Sequence, residues 1–260
     1  MTTASINGNT TYYEVHGTGD PVLFLHGGFS SIELMRPQMN ALAETFAVHA
    51  PERPGHGRSP DVPGPLSYAQ SLADTVAYLD AVQLDRVHVV GFSDGAIIGL
   101  LLALHHPDRI QSLVAISGNL DPSGFVVDDA AASDSEGEPT AADPTATQPT
   151  DAEPHVDTSR QIYNELSPDG PEHADVMLDK LMTLWTTEPN IAASELGAIT
   201  VPTLIMAGDR DVISLDHTRL MAFSIPRGEL CIVPRAGHGL LEQRPQFVTF
   251  AIQEFLDSII

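Results

Sequence analysis

The chain has 260 residues, and its 12 lysines and arginines stand against 35 aspartates and glutamates, so the formal charge is −23 at pH 7. The length permits one large α/β domain or two small ones, and 42% hydrophobic residues are enough to form a core, which excludes a largely disordered chain. The excess of acids disfavours nucleic acid and anionic membranes as partners, because both are negatively charged.

The cysteine content and the apolar runs narrow the class of protein further. A single cysteine, Cys231, excludes a disulfide within the chain and a zinc site built from several cysteines. Residues 1–20 are polar and lack the hydrophobic core of a signal peptide. The longest apolar stretch, Ala96–Leu104, is far shorter than the roughly 20 residues of a membrane span. These features predict a cytoplasmic monomer or homodimer without a membrane partner.

Strand and helix patterns alternate through the first half of the chain. Asn7-Gly8, between two β-prone runs, predicts a hairpin turn. Short, continuously apolar runs predict strands buried on both faces, and runs with helical spacing predict the helices between them. The predicted elements are strands at Pro21–Leu25, Ala47–Ala50, Arg86–Val90 and Ile110–Ile116, and helices at Ser31–Phe46, Tyr68–Val82 and Ala96–His105.

The alternating pattern is then interrupted. Between Asp128 and Asp157 there are nine acids and no lysine or arginine, a composition that predicts a mobile, low-complexity loop. The pattern resumes with helices at Gln161–Leu166, His173–Trp185, Leu215–Phe223 and Leu240–Leu256, and strands at Val201–Ala207 and Leu230–Val233. The alternation predicts an α/β fold with a mostly parallel, doubly wound sheet covered on both faces.

The segment Gly91–Gly95, with the sequence GFSDG, follows a predicted buried strand and precedes a predicted apolar helix. Gly-x-Ser-x-Gly in this context forms a sharp turn that lifts the serine hydroxyl above the sheet. The context gives the signal its specificity, because five residues alone also fit an ordinary glycine-rich turn. We therefore predict Ser93 as a nucleophile.

A serine nucleophile needs a base, and the base needs an orienting carboxylate. Of the 11 histidines, His238 is favoured, because it lies in a Gly-His-Gly loop after the last predicted strand. Asp209 and Asp211 both follow the strand before it. Asp211 lies further into the loop and is favoured as the acid, whereas Asp209 is expected to brace the turn or to pair with Arg210.

Acyl transfer also needs backbone N–H groups that stabilise the developing oxyanion. The N–H of Asp94, directly after the nucleophile, is one predicted donor. The other is Gly28, or else Phe29, in the loop after the strand at Pro21–Leu25. His26 is expected to hold this loop by hydrogen bonds and to border the substrate.

The side chain of Asp94 has two interpretations. An acid in the first turn of a helix interacts favourably with the positive end of the helix dipole, and this interpretation is preferred. The other is recognition of a cationic substrate group, such as the ammonium of an aminoacyl ester. Trp185, on a predicted amphipathic helix, is a further predicted substrate-binding residue.

Together these segments resemble the α/β-hydrolase superfamily, of the cap-bearing, esterase- and lipase-like kind. The resemblance implies about eight strands, a core of residues 1–119 and 196–260, and a small helical cap at 120–195 that includes the acidic loop at 128–157. It also implies Ser93 as nucleophile, Asp211 as acid and His238 as base. The matching segments are His26–Gly28, Arg53–Ser59, Gly91–Gly95, Gly208–Asp211 and Gly237-His238.

The expected function is hydrolysis of a small-molecule carboxylic ester through an acyl-enzyme intermediate, with no metal and no cofactor. The same residues could also hydrolyse thioesters, lactones or carbon–carbon bonds next to carbonyls, and these substrates remain alternatives. A lyase, or a small-molecule binding protein without chemistry, is the alternative class.

The basic residues point to a further property, because Lys180 is the only lysine among 12 of them. With acids throughout the chain, this bias predicts a surface adapted to high salt, where screening removes self-repulsion. High-GC codon usage, which favours arginine, is the rival explanation.

Overall fold

The computed structural model describes residues 2–126 and 155–259, with side chains from Thr158 onward in the second range. Most of the acidic loop predicted at 128–157 therefore lies outside the described residues. The backbone of its last three residues begins a helix at His155, and this helix starts earlier than the one predicted at Gln161.

One eight-stranded sheet organises the fold, with the strand order β1-β2-β4-β3-β5-β6-β7-β8. The β1–β2 hairpin is antiparallel to its neighbours, and β3 to β8 pair in parallel. This confirms the prediction of a mostly parallel sheet of about eight strands. The strands are Thr3–Ile6, Asn9–His16, Pro21–Leu25, Ala47–Pro51, Val87–Phe92, Ile110–Ile116, Thr203–Gly208 and Gly228–Val233.

Helices cover both faces of the sheet, because the side chains of the central strands alternate between two apolar layers. In β3, Leu23 and Leu25 face the layer that contains α2, α3 and α6, whereas Val22 and Phe24 face the layer of α1 and α8. Strands buried on both faces explain the continuous apolar runs in the sequence. The α-helices α1 to α8 are Arg36–Leu42, Tyr68–Ala81, Asp94–His105, His155–Leu166, Ala174–Thr187, Leu215–Ser224, Leu240–Gln243 and Pro245–Asp257.

Two predicted helices differ in detail. The helix predicted at Ser31–Phe46 starts as a 3-10 turn, capped by the Ser31 hydroxyl, and becomes α-helical only at Arg36. The helix predicted at Leu240–Leu256 is two helices, because Pro245 forces the residue before it out of the helical conformation and starts α8. Across residues 2–126 and 155–259, no helix combines the length and apolarity needed to cross a membrane.

Helices α4 and α5 lie between β6 and β7 in the chain, within the segment predicted as a cap, and we call them the cap helices. They contact the rest of the fold through side chains. Lys180 of α5 donates to the Asp61 carboxylate at 2.6 Å and to the carbonyl of Val62 at 2.8 Å. Glu188, just after α5, accepts the backbone N–H of Tyr68 at 3.0 Å. These contacts fasten α5 to the segment that leads into α2.

Candidate active site

Ser93 occupies the turn between β5 and α3 with φ 52° and ψ −116°, a conformation that is strained for any residue with a side chain. A Cβ on Gly91 would lie 2.2 Å from the carbonyl oxygen of Gly95, and one on Gly95 would lie 2.0 Å from that of Leu25. Both glycines are therefore needed for the turn. The Ser93 N–H donates to Ile116 of the next strand at 2.8 Å, which fixes the turn to the sheet.

The three residues predicted for catalysis lie in one hydrogen-bonded row. His238 Nε2 is 3.1 Å from Ser93 Oγ, and His238 Nδ1 is 2.8 Å from Asp211 Oδ1. An ionised Asp211 can only accept, so Nδ1 carries the proton and Nε2 is left to accept from the serine hydroxyl. The row thus joins a hydroxyl, a base and an orienting carboxylate at distances that suit proton transfer.

Asp211 is buried and stays charged because protein donors surround it. Burial raises its pKa, but hydrogen bonds from His238, from the Ser117 hydroxyl and from the Ile213 N–H lower it to below the usual range. Ser117 Oγ lies 2.5 Å from Asp211 Oδ2. Sequence reasoning missed Ser117, although its place directly after β6, beside the nucleophile strand, was a usable signal.

Asp209 has a different position. Its Oδ1 accepts the N–H of Ala236 at 3.0 Å, and this bond ties the loop after β7 to the loop that carries His238. Asp211 thus bonds to the imidazole of His238, whereas Asp209 bonds to the backbone of Ala236 in the same loop.

The loop after β3 lies beside Ser93, the predicted nucleophile. A Cβ on Gly27 would be 3.3 Å from the Cβ of Ser93, so Gly28 and Phe29 begin next to the serine, where oxyanion donors are required. Phe29 has a φ of 44°, and its ring stacks on Tyr163 of α4 at 5.3 Å between centroids. The loop is therefore in contact with a cap helix.

His26 is fully buried, and both of its ring nitrogens are engaged. Nδ1 donates to the carbonyl of Gly27 at 2.8 Å, and Nε2 accepts the backbone N–H of Arg53 at 3.0 Å. Burial lowers its pKa well below the ordinary value, so the ring is neutral. Both ring nitrogens are thus engaged by the protein, and the predicted contact of His26 with substrate stays a prediction. Its predicted role in holding the loop agrees with these bonds.

The side chain of Asp94 is 1% exposed and is occupied by protein donors. Its Oδ1 accepts the Tyr68 hydroxyl and the Trp185 indole N–H, both at 2.9 Å, and its Oδ2 faces the Arg53 guanidinium at 3.3 Å. Protein donors therefore already occupy both carboxylate oxygens, and the interpretation in which they bind a cationic substrate group stays a prediction. Trp185 as a substrate contact stays a prediction.

The described residues offer no metal centre. Across the two described ranges, no group of three or more histidines, cysteines, aspartates or glutamates is arranged to hold an ion. Cys231 lies half-buried in β8, where burial raises the pKa of its thiol.

Comparison with known proteins defines the class of this protein. The model of the alpha/beta hydrolase family matches residues 22–249. The chain is 30% identical over 265 residues to "Putative carbamate hydrolase RutD" of Caulobacter sp. (strain K31), covering 95% of this chain and 96% of that protein. Matches to proteins of the same name from Azorhizobium caulinodans and Caulobacter segnis span less than half of those relatives, 43% and 46%.

A methyl ester esterase and a lactonase are also similar. The chain is 28% identical over 263 residues to the pimeloyl-[acyl-carrier protein] methyl ester esterase of Chromobacterium violaceum, covering 95% of this chain and 98% of that one. The enol-lactonase structure from Burkholderia xenovorans LB400 matches 98% of this chain and 100% of its own, with a TM-score of 0.75 and 19% identity. The chain belongs to the alpha/beta hydrolase family and is a hydrolase.

Proposed function

We propose that this protein is a serine hydrolase that cleaves a carboxylic ester of a small molecule through an acyl-enzyme intermediate. The hydrogen-bonded row from Ser93 through His238 to Asp211 carries the proposal. The burial of Asp211 and its lowered pKa add support, because an ionised partner stabilises the imidazolium that forms during attack.

In the proposed mechanism, the Ser93 hydroxyl attacks the ester carbonyl while His238 Nε2 takes its proton. The oxyanion is stabilised by the backbone N–H of Asp94 and by that of Gly28 or Phe29. His238 then returns the proton to the leaving alcohol, which leaves the acyl group on Ser93. Water, activated by the same imidazole, releases the acid and restores the hydroxyl.

The cap helices support a small substrate in this proposal. We assign α4 and α5 to a cap over the site, since α4 contacts the oxyanion loop through Tyr163 and α5 reaches the residue after the nucleophile through Trp185. A site covered in this way receives a small molecule more readily than a polymer.

Carbamate hydrolysis is the second candidate, and the similarity along 95% of the chain to a protein of that name favours it. A carbamate presents a carbonyl to the same nucleophile, as does a lactone or a thioester. Carbon–carbon bond hydrolysis, a lyase reaction and ligand binding without chemistry are less favoured, because no contact in the site supports them over ester cleavage.

The test is the reaction of Ser93 with a fluorophosphonate, together with the turnover of phenyl acetate, phenyl butyrate and phenyl carbamate. We expect the wild-type protein to be labelled and to release phenol from an ester, and Ser93→Ala to do neither. Ser112→Ala is the matched control, because Ser112 is buried in β6 and bonds to His88 away from the row. Faster release from the carbamate would favour the second candidate, and an unlabelled, inactive wild-type protein would contradict the proposal.

A further inference from the structure

The carboxylate of Asp94 joins three separate parts of the protein. Tyr68 begins α2, Trp185 belongs to cap helix α5, and Arg53 lies in the loop after β4. All three donate to this one buried carboxylate, and we call the four residues the Asp94 cluster. Asp94 is also the residue whose backbone N–H stands directly after the nucleophile.

Arg53 connects the Asp94 cluster to the oxyanion loop. The same guanidinium nitrogen that faces Asp94 also donates to the carbonyls of Gly27 at 2.9 Å and His26 at 3.3 Å. In a trans peptide the carbonyl of Gly27 and the N–H of Gly28 point in opposite directions. By holding that carbonyl, Arg53 directs the Gly28 N–H away from itself, and so it fixes the donor that the oxyanion requires.

Trp185, the member of the Asp94 cluster that belongs to cap helix α5, contacts the same loop. A Cβ placed on Gly28 would lie 2.5 Å from Cζ2 of Trp185 and 2.7 Å from Oδ2 of Asp94. The indole therefore rests directly against the Gly28 backbone, and only a glycine fits beneath it. The hydrogen bond from the indole to Asp94 sets the position of the ring.

We propose that Asp94 is a positioning residue that couples the seating of cap helix α5 to the assembly of the oxyanion hole. Its carboxylate holds Trp185 against Gly28 and Arg53 behind Gly27 at the same time. When the indole leaves, the carboxylate loses one of its donors and the loop loses the side chain that covers it. This inference rests on the proposed function, because it assigns the Gly28 N–H to the oxyanion hole.

The kinetic experiment separates positioning from simple stabilisation of the fold. Trp185→Phe keeps an aromatic ring but removes the indole N–H, and we expect kcat for phenyl acetate to fall about tenfold, the value of one hydrogen bond of ordinary strength. Lys180→Met is the matched control, because it removes a different contact of the same helix, to Asp61. We expect it to leave kcat within about twofold of wild type. Equal kcat values for wild type and Trp185→Phe, or equal losses in both variants, would overturn the proposal.

The fluorescence of Trp185 gives a second measurement that does not need activity. Trp185 is the only tryptophan of the chain, so its emission reports the position of the indole in the intact protein. In Asp94→Ala, which leaves no acceptor for the indole N–H, we expect a red shift and stronger quenching by acrylamide, whereas Lys180→Met should resemble wild type. Unchanged quenching in Asp94→Ala would mean that the carboxylate does not hold the indole, which contradicts the proposal.

A fluorophosphonate on Ser93 separates failure of this inference from failure of the proposed function. Labelling of Ser93 tests the nucleophile alone. The bound phosphonyl oxygen occupies the oxyanion hole, and we expect it to reduce acrylamide quenching of Trp185 in the wild type and not in Asp94→Ala. A labelled wild-type protein with unchanged quenching would overturn the coupling and leave the nucleophile established.

Discussion

The reacting side and the cap side of the site are held in place by different means. Ser93, Asp211 and His238 follow β5, β7 and β8, whose backbones are bonded in parallel within one sheet. The cap helices are held by side chains instead: Met177, Leu181 and Leu184 are buried in the core, and Lys180 and Trp185 bond to Asp61 and Asp94. The difference implies that a substitution can alter one contact of the cap helices without changing the alignment of Ser93, Asp211 and His238, and the loop after β3 touches both regions.

The largest expected effect comes from the reacting side. Asp211→Asn presents an amide to His238 and favours the wrong tautomer, so we expect kcat to fall about 10⁴-fold without loss of folding. Asp209→Asn is the control, since an amide oxygen can still accept the N–H of Ala236. Steady-state kinetics on phenyl acetate will measure both variants. A loss at Asp209 as large as that at Asp211 would mean that the acid has been assigned to the wrong residue.

A smaller effect is expected one bond further from the imidazole. Ser117→Ala removes a donor to Asp211, so kcat should fall about tenfold, as expected for one hydrogen bond to a charged group. The acid limb of the kcat–pH profile should also move to higher pH, because loss of the Ser117 hydrogen bond raises the pKa of Asp211. Ser112→Ala, the same change within β6 and five residues earlier, should alter the melting temperature and leave this profile unchanged. An unchanged kcat–pH profile in Ser117→Ala would mean that Ser117 contributes packing and does not affect the charge of Asp211.

On the cap side, the ion pair of Lys180 with Asp61 should contribute modestly to stability, about 1 kcal/mol or less. Burial raises the pKa of Asp61, but hydrogen bonds from Lys180 and His173 bring it below its ordinary value of 3.8. A carboxyl with a lowered folded-state pKa stabilises the fold above pH 3.8 and loses that contribution as the pH falls further. The difference in unfolding free energy between wild type and Lys180→Met should therefore shrink below this pH. A difference that is constant from pH 3 to pH 7 would exclude an electrostatic contribution.

Salt should change the stability of both regions together, and its effect on any single contact should be smaller than the effects of the substitutions above. With a formal charge of −23, the acidic side chains repel one another at low ionic strength. At 1 M salt the Debye length is about 3 Å, so this repulsion is largely screened. If the surface is adapted to high salt, the melting temperature and the activity should rise from low to multimolar potassium chloride. A flat or falling response would favour codon usage as the reason for the scarcity of lysine.

The sequence predicts the sheet and the reacting row well because both depend on local patterns. Continuous apolar runs mark the buried strands, and Gly91–Gly95 fits only a sharp turn when such a strand precedes it. The break at Pro245 was also open to local reasoning. The place of Ser117 after β6 was a local signal as well, but its partner and those of the Asp94 cluster were not predictable in this way, because they depend on packing between distant segments. Ser117 meets Asp211 across 94 positions of the chain, and Asp94 meets Trp185 across 91.

The left-handed conformation of Ser93 implies a trade-off between durability and catalysis. A φ of 52° on a residue with a Cβ costs about 1–3 kcal/mol, which the rest of the fold has to offset. Ser93→Gly should relieve this strain and raise the melting temperature, whereas Ser93→Ala should keep it, although both lose the hydroxyl. Ser93 would then be a position at which the fold can be stabilised but at which the stabilising change could not persist under selection for activity.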